Sequence, residues 1–165
     1  MMMRDAFHEE LDQISNSLLN MASLVNLAME DATQALLKPD LGIAEKVIAA
    51  DDVIDQMQHD LDARTISLMA RQQPVASDLR TLVTSLRMSA DLERMGDMAH
   101  HIAKLARMRY PNKAVPGELV EIITNMDRVA VSIIKKTTQS IDTRNTTLAL
   151  QLEIDDDEMD KLQDR

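Results

Sequence analysis

The chain of 165 residues contains no cysteine and no tryptophan, and only one phenylalanine, one tyrosine, three glycines and four prolines. Without cysteine there are no disulfides, thiolate metal sites or cysteine nucleophiles. So little glycine and proline cannot supply the many tight turns of an all-β fold. Without aromatics, the core must be built from Leu, Ile, Val, Ala and 13 methionines. Unbranched side chains and alanine favour helices, whereas strands draw on aromatic and β-branched residues. Positive charge is also scarce, and the formal net charge is −10. This opposes direct nucleic-acid binding, which needs a basic footprint, and electrostatic adhesion to an anionic membrane. No apolar run reaches the ~18 residues of a membrane span. No apolar signal region comes after Met1-Met2-Met3-Arg4-Asp5. Together these features predict an all-helical cytoplasmic protein.

What is present is periodicity. From Met3 to Leu37, apolar residues fall at Phe7, Leu11, Ile14, Leu18, Met21, Val25, Ala28, Ala32 and Leu36. The alternating three- and four-residue steps describe one face of a long helix. Lys38-Pro39-Asp40 breaks it, because the residue before proline is biased away from helix and Asp40 can cap the next helix. That second helix is predicted over 41–71, with Val47, Ile54, Leu61 and Leu68 seven apart. Gln72-Gln73-Pro74 ends it. A third is predicted over 75–109, with a seam through Val75, Leu79, Leu82 and Leu86, then Met88, Leu92, Met95, Ala99 and Ile102. Tyr110 to Gly117 carries two of the four prolines and reads as a linker. A fourth helix is predicted over 118–141 and a fifth from Asn145 onward.

A shift of 105 positions aligns the chain with itself without gaps. Asn20-Met21 then meets Asn125-Met126, Gln34 meets Gln139, and Asp51-Asp52-x-x-Asp55 meets Asp156-Asp157-x-x-Asp160. The pattern reads as a duplicated three-helix unit whose second copy is incomplete. Residues 1–110 form the first bundle, 111–117 the linker, and 118–165 a truncated second repeat, as in a fragment. The apolar stripes of the fourth and fifth helices then lack a sixth helix. They are expected to pack on a second chain or to lie extended from the first bundle.

Three acidic clusters stand out: Asp51-Asp52-x-x-Asp55, Asp91-x-Glu93-x-x-x-Asp97 and Asp156-Asp157-x-x-Asp160. Residues i and i+4 share a helix face, where like charges repel. Asp51, Asp55, Glu93 and Asp97 lie too far inside their helices for the macrodipole to account for them. A hairpin turning at Gln73 pairs positions that sum to about 146, bringing Asp51/Asp55 beside Glu93/Asp97. Converging carboxylates call for a hard cation such as Mg²⁺, Mn²⁺, Ca²⁺ or oxidised iron. His100 and His101, one turn further, could add nitrogen and admit Zn²⁺ or iron. The plainer reading is a solvated acidic flank balanced by Arg87 and Arg94. Catalysis finds no support: there is no Glu-x-x-His di-iron pattern and no glycine-rich phosphate loop.

The stretches Met3-Arg4-Asp5-Ala6-Phe7-His8-Glu9-Glu10-Leu11, Ala70 to Arg80 and Asp91-Leu92-Glu93-Arg94-Met95-Gly96-Asp97 resemble the PhoU family of phosphate-transport accessory proteins. The run from His101 to Pro111 is similar to actinobacterial members in particular. The resemblance implies two three-helix bundles and multinuclear iron or zinc clusters held by acid-x-x-x-acid motifs. Those motifs map to Asp51 and Asp55, Glu93 and Asp97, and Asp156 and Asp160. The last pair lacks its helix-six partner, which puts the second cluster in doubt. It also implies a non-enzymatic adaptor, expected as a homodimer and peripheral to the membrane only through its partners. The adaptor would link a phosphate ABC transporter ATPase to a sensor histidine kinase, repress phosphate-starvation signalling and temper uptake. The alternative from another class is a metal-storage or redox carboxylate bundle.

Overall fold

The computed structural model describes residues 2–143 and 146–164. Among them there is no strand. The elements are α1 (Met2–Leu37), α2 (Leu41–Gln72), α3 (Ala76–Arg109), a 3₁₀ turn (Gly117–Leu119), α4 (Val120–Thr143) and α5 (Thr146–Gln163). Asn145, where the sequence starts the fifth helix, and the terminal Arg165 lie outside the described residues. No described helix is long and apolar enough to cross a membrane.

The breaks reflect local chemistry. The Asp40 side chain accepts a hydrogen bond from the Ile43 amide at 3.0 Å, capping α2. At its other end Gln73 adopts the left-handed conformation (φ 41, ψ 64), and Pro74 comes immediately after. A residue beyond the C-terminus that turns left-handed closes the last turn and redirects the chain. α3 then starts after Val75, which offers no side-chain cap.

α1, α2 and α3 pack mutually as an up-down-up bundle. The heptad residues of α2, Val47, Ile54, Leu61 and Leu68, are all buried, as is the α1 seam apart from half-buried Leu11. A smaller cluster of Phe7, Ile14, Leu68 and Leu82 closes the end near the α2–α3 turn. Each such Leu or Ile contributes about 1.5–3 kcal/mol on burial. α3 departs from its expected seam. Val75 is 67 % and Leu79 42 % exposed, and the inward positions are Ser85, Ser89, Gly96, Ala99, Ala103 and Ala106 beside Leu82 and Leu92. Small residues let the backbone of α3 approach its neighbours, so the buried stripe is not the one that large apolar residues mark.

The fourth helix does not extend away from the first bundle: it packs on α1, and Val129 and Ile134 are buried within the chain. A groove of about 170 Å³ runs between α4 and the α1/α3 face, lined by Ala22, Met88, Leu92, Met95, Ile133 and Ile141 among others. The linker takes part too, since Val115 is buried in the main core. Among the described residues α5 packs on α4 alone and leaves Leu150 and Ile154 on the surface.

Candidate metal centre

The α2–α3 seam carries the acidic residues. Ile54 and Gly96 face each other there: a Cβ built on Gly96 would lie 3.2 Å from both Cδ1 and Cγ2 of Ile54. That close approach puts Asp55 and Asp97, the residues next in sequence to each, side by side. One carboxylate oxygen from each of Asp51, Asp55 and Asp97 lies within 4.8 Å of the others. Oxygens bound to one cation at 2.0–2.6 Å are separated by no more than about 5 Å, so the three fit a common ion.

The pairing is offset from the expected one by about one helical turn. Asp51 meets His100, Ile54 meets Gly96, and Asp62 accepts a hydrogen bond from Ser89 Oγ at 2.8 Å. These positions sum to 150 or 151 rather than 146. Two effects account for the difference. The helix ends at Gln72 and Ala76 set the sum near 148. Each side chain also leans toward its own helix N-terminus, adding about one residue per helix in an antiparallel pair. Asp97 therefore joins Asp51 and Asp55, while Glu93 sits half-buried one turn below on α3.

Glu93 still feels the site. Its carboxyl is pushed above the ordinary range by desolvation first, then by Asp97, Asp55 and Asp51. Asp55 is raised in the same way, by burial and then by Asp51, Asp97 and Asp52. His59, on the exposed face one turn beyond Asp55 with its Nδ1 against the Asp55 carbonyl, pulls both downward. The i+4 spacing of His59 from Asp55 is the sequence signal that points to this neighbour, and the acidic pattern alone overlooks it.

Counter-charge is missing where the solvated-flank reading needs it. Arg87 and Arg94 are on the exposed face of α3, and among the described residues no lysine or arginine forms an ion pair with Asp51, Asp55, Glu93 or Asp97. Among the described residues, the basic side chain that contacts one of these carboxylates is the His100 imidazole, whose Nδ1 bonds Asp51 Oδ2. Asp51 is only 8 % exposed, and its Oδ1, like Asp55 Oδ1 and His100 Nε2, is buried without a hydrogen-bond partner. Buried carboxylate oxygens without donors are costly, and a cation at their centre would satisfy them. His101 points outward and is exposed.

Asp156 and Asp160 are both exposed on α5, and no described helix other than α4 packs there. Two other acids of α5 reach α4: exposed Glu158, which pairs with Arg128 at 3.0 Å, and half-buried Asp155. Asp155 Oδ2 accepts from Lys136 Nζ at 2.6 Å and Ser132 Oγ at 3.3 Å. The sequence repeat marks Asp156 and Asp160 and passes over Asp155.

At the turn between α2 and α3, Arg71 grips Glu10 of α1 through Nη1 at 3.3 Å and Nη2 at 2.7 Å. A shallow cavity of about 410 Å³ lies beside it, lined by Phe7, His8, Gln72, Gln73, Pro74, Val75 and Asp78.

Residues 18–106, which contain the whole cluster, match the family model described as the PhoU domain. A mycobacterial protein (Mycobacterium tuberculosis) named phosphate-specific transport system accessory protein PhoU homolog 2 is 41 % identical over 160 residues, 97 % of this chain and 75 % of its own length. A Clostridium acetobutylicum homolog of the same description is 36 % identical over 99 % of this chain and 74 % of its own. The crystal structure of PhoU from Pseudomonas aeruginosa superposes with a TM-score of 0.86 at 28 % identity, covering 94 % of this chain and 74 % of that one.

Proposed function

The chain belongs to the PhoU family, a family of regulatory accessory proteins and not of enzymes, and from that premise we propose that it is a metal-binding adaptor of a phosphate transport system. The names of its relatives support the transport role. The adaptor would act in the cytoplasm, linking the transporter ATPase to a sensor histidine kinase, restraining phosphate-starvation signalling and moderating uptake.

The observation that carries the metal reading is the Asp51/Asp55/Asp97 triad, with buried carboxylate oxygens that no protein donor satisfies. These three residues would hold the first ion, with Glu93 at the rim as the ligand through which a second ion could join. The oxygen-rich set suits a hard cation, and iron or zinc becomes favourable with imidazole nearby. When bound, the ion supplies positive charge between two helices. The residues of this chain do the rest: α2 and α3 present their acids at fixed spacing, and the ion's affinity ties the helices together. Asp156 and Asp160 would require oxygen ligands from a further helix to form a second centre. That fits the proposed organisation of a complete bundle over 1–110, a linker over 111–117 and the start of a second repeat over 118–165. The exposed Leu150 and Ile154 on α5 favour association with a second copy in a homodimer.

Capture of the transporter ATPase and of the kinase by this chain, with and without chelator, tests the proposal. Metal-dependent capture of either is expected. Failure to capture both, in metal and in chelator, would refute the adaptor role.

A further inference from the structure

The acidic triad does not account for His100. Its imidazole is largely enclosed, 17 % exposed at the side chain, against an Asp51 carboxylate that is 11 % exposed. It lies three residues after Asp97 and therefore on the same face of α3. Its Nδ1 contacts Asp51 Oδ2 across the seam, whereas Nε2 is buried without a partner. The ligand atoms that lie mutually within 4.8 Å are those of Asp51, Asp55 and Asp97, and the imidazole is not among them.

Resting on the metal-centre reading above, we propose that His100 is a positioning residue of that centre: its Nδ1–H donates to Asp51 Oδ2 and leaves Asp51 Oδ1 as the oxygen turned to the cation. An ionised carboxylate offers only lone pairs, so the proton of this hydrogen bond sits on Nδ1. Asp51 comes from α2 and His100 from α3, so the bond also fixes the distance between the two helices that supply the ligands. A side chain that orients a ligating carboxylate in this way commonly governs metal affinity without touching the metal. The preceding turns contain other polar side chains, but Ser89 is occupied with Asp62, and His101 is exposed. His100 is therefore the group placed to do this.

The test compares Zn²⁺ and Mn²⁺ binding to metal-stripped wild type, H100N, H100L and D97N by titration calorimetry. The Asn amide can place an N–H near the position of Nδ1, whereas Leu fills the space without a donor. H100L should lose about 10–100-fold in affinity for both ions, H100N should retain most of it, and D97N should lose binding. Wild-type affinity in H100L, with binding lost in D97N, would overturn the positioning role and leave the metal centre standing. Equal binding by D97N and wild type, or none by wild type, would overturn both. Loss of Zn²⁺ alone in both His100 variants would overturn the proposal in favour of direct ligation. An independent readout on the unaltered protein is the imidazole ¹⁵N spectrum of His100: a protonated Nδ1 supports the proposal, and an unprotonated Nδ1 refutes it even if a variant fails to fold.

Discussion

Replacing Asp97 with Asn should reverse the order of stability of the two proteins when metal is added. Asp97 is half-buried, and its carboxylate shares a 4.8 Å neighbourhood with Asp51 and Asp55. At the dielectric of water, two like charges at that separation repel by about 0.9 kcal/mol. Two partners give about 1–2 kcal/mol, and salt screening brings this toward about 1 kcal/mol. The Asn keeps the shape and removes the charge, so in chelator the variant should melt higher than wild type by about 2–4 °C for a chain of this size. Saturating metal acts in the opposite direction. An ion present at a hundred times its dissociation constant stabilises the native state by about 2.7 kcal/mol, and only wild type gains it. Thermal melts monitored by circular dichroism, in chelator and in metal, give the four numbers required. A variant that melts below wild type in chelator would refute the electrostatic account. Equal gains on adding metal would refute the site.

The same repulsion predicts a pH dependence. Asp55 and Glu93 are raised from 3.8 and 4.5 in the folded protein, so they bind protons more tightly when folded; their contribution is full below the unfolded values and lost as pH rises through the raised ones. Metal-free protein should therefore gain stability as the pH falls from neutrality toward the ordinary carboxylate range, and D55N should flatten that rise. It should not abolish it, because Asp127, raised by burial at the α1–α4 contact, acts in the same direction; a falling melting temperature over that range would contradict the assignment. At the α2–α3 turn, Q73G should stabilise the protein by about 0.5–1 kcal/mol, since glycine adopts the left-handed conformation there without steric cost. Denaturant unfolding checks this, and a loss of stability would show that the Gln73 side chain itself supports the turn.

Much of the fold is legible in the sequence. The three- and four-residue spacing locates α1, α2 and α3 within a few residues, because Pro39 and Pro74 leave little freedom at the breaks. The acidic pairs are legible as well, since i, i+4 spacing survives folding into a helix. What the sequence hides is register. Counting from the turn treats helices as ladders of points, whereas side chains lean, and that lean leaves Glu93 outside the group of Asp51, Asp55 and Asp97 and sets His100 against Asp51. Part of the stripe of small residues on α3 is hidden for a related reason: close packing is also carried by Ser85, Ser89, Ala103 and Ala106, which do not stand out among large apolar residues. The return of α4 onto α1 cannot be read from its own periodicity, because an apolar stripe does not name the surface that covers it.

If Asp51, Asp55 and Asp97 together hold a metal ion, the ion should travel with the protein through purification. Elemental analysis of wild type and of D55N, purified in parallel without chelator and normalised to protein, decides this. Wild type should carry at least about one equivalent of a divalent or trivalent cation per chain, and D55N should lose most of it with helicity unchanged. Wild type that carries no stoichiometric metal after incubation with iron, zinc or manganese, or a D55N protein that carries as much as wild type, would contradict it.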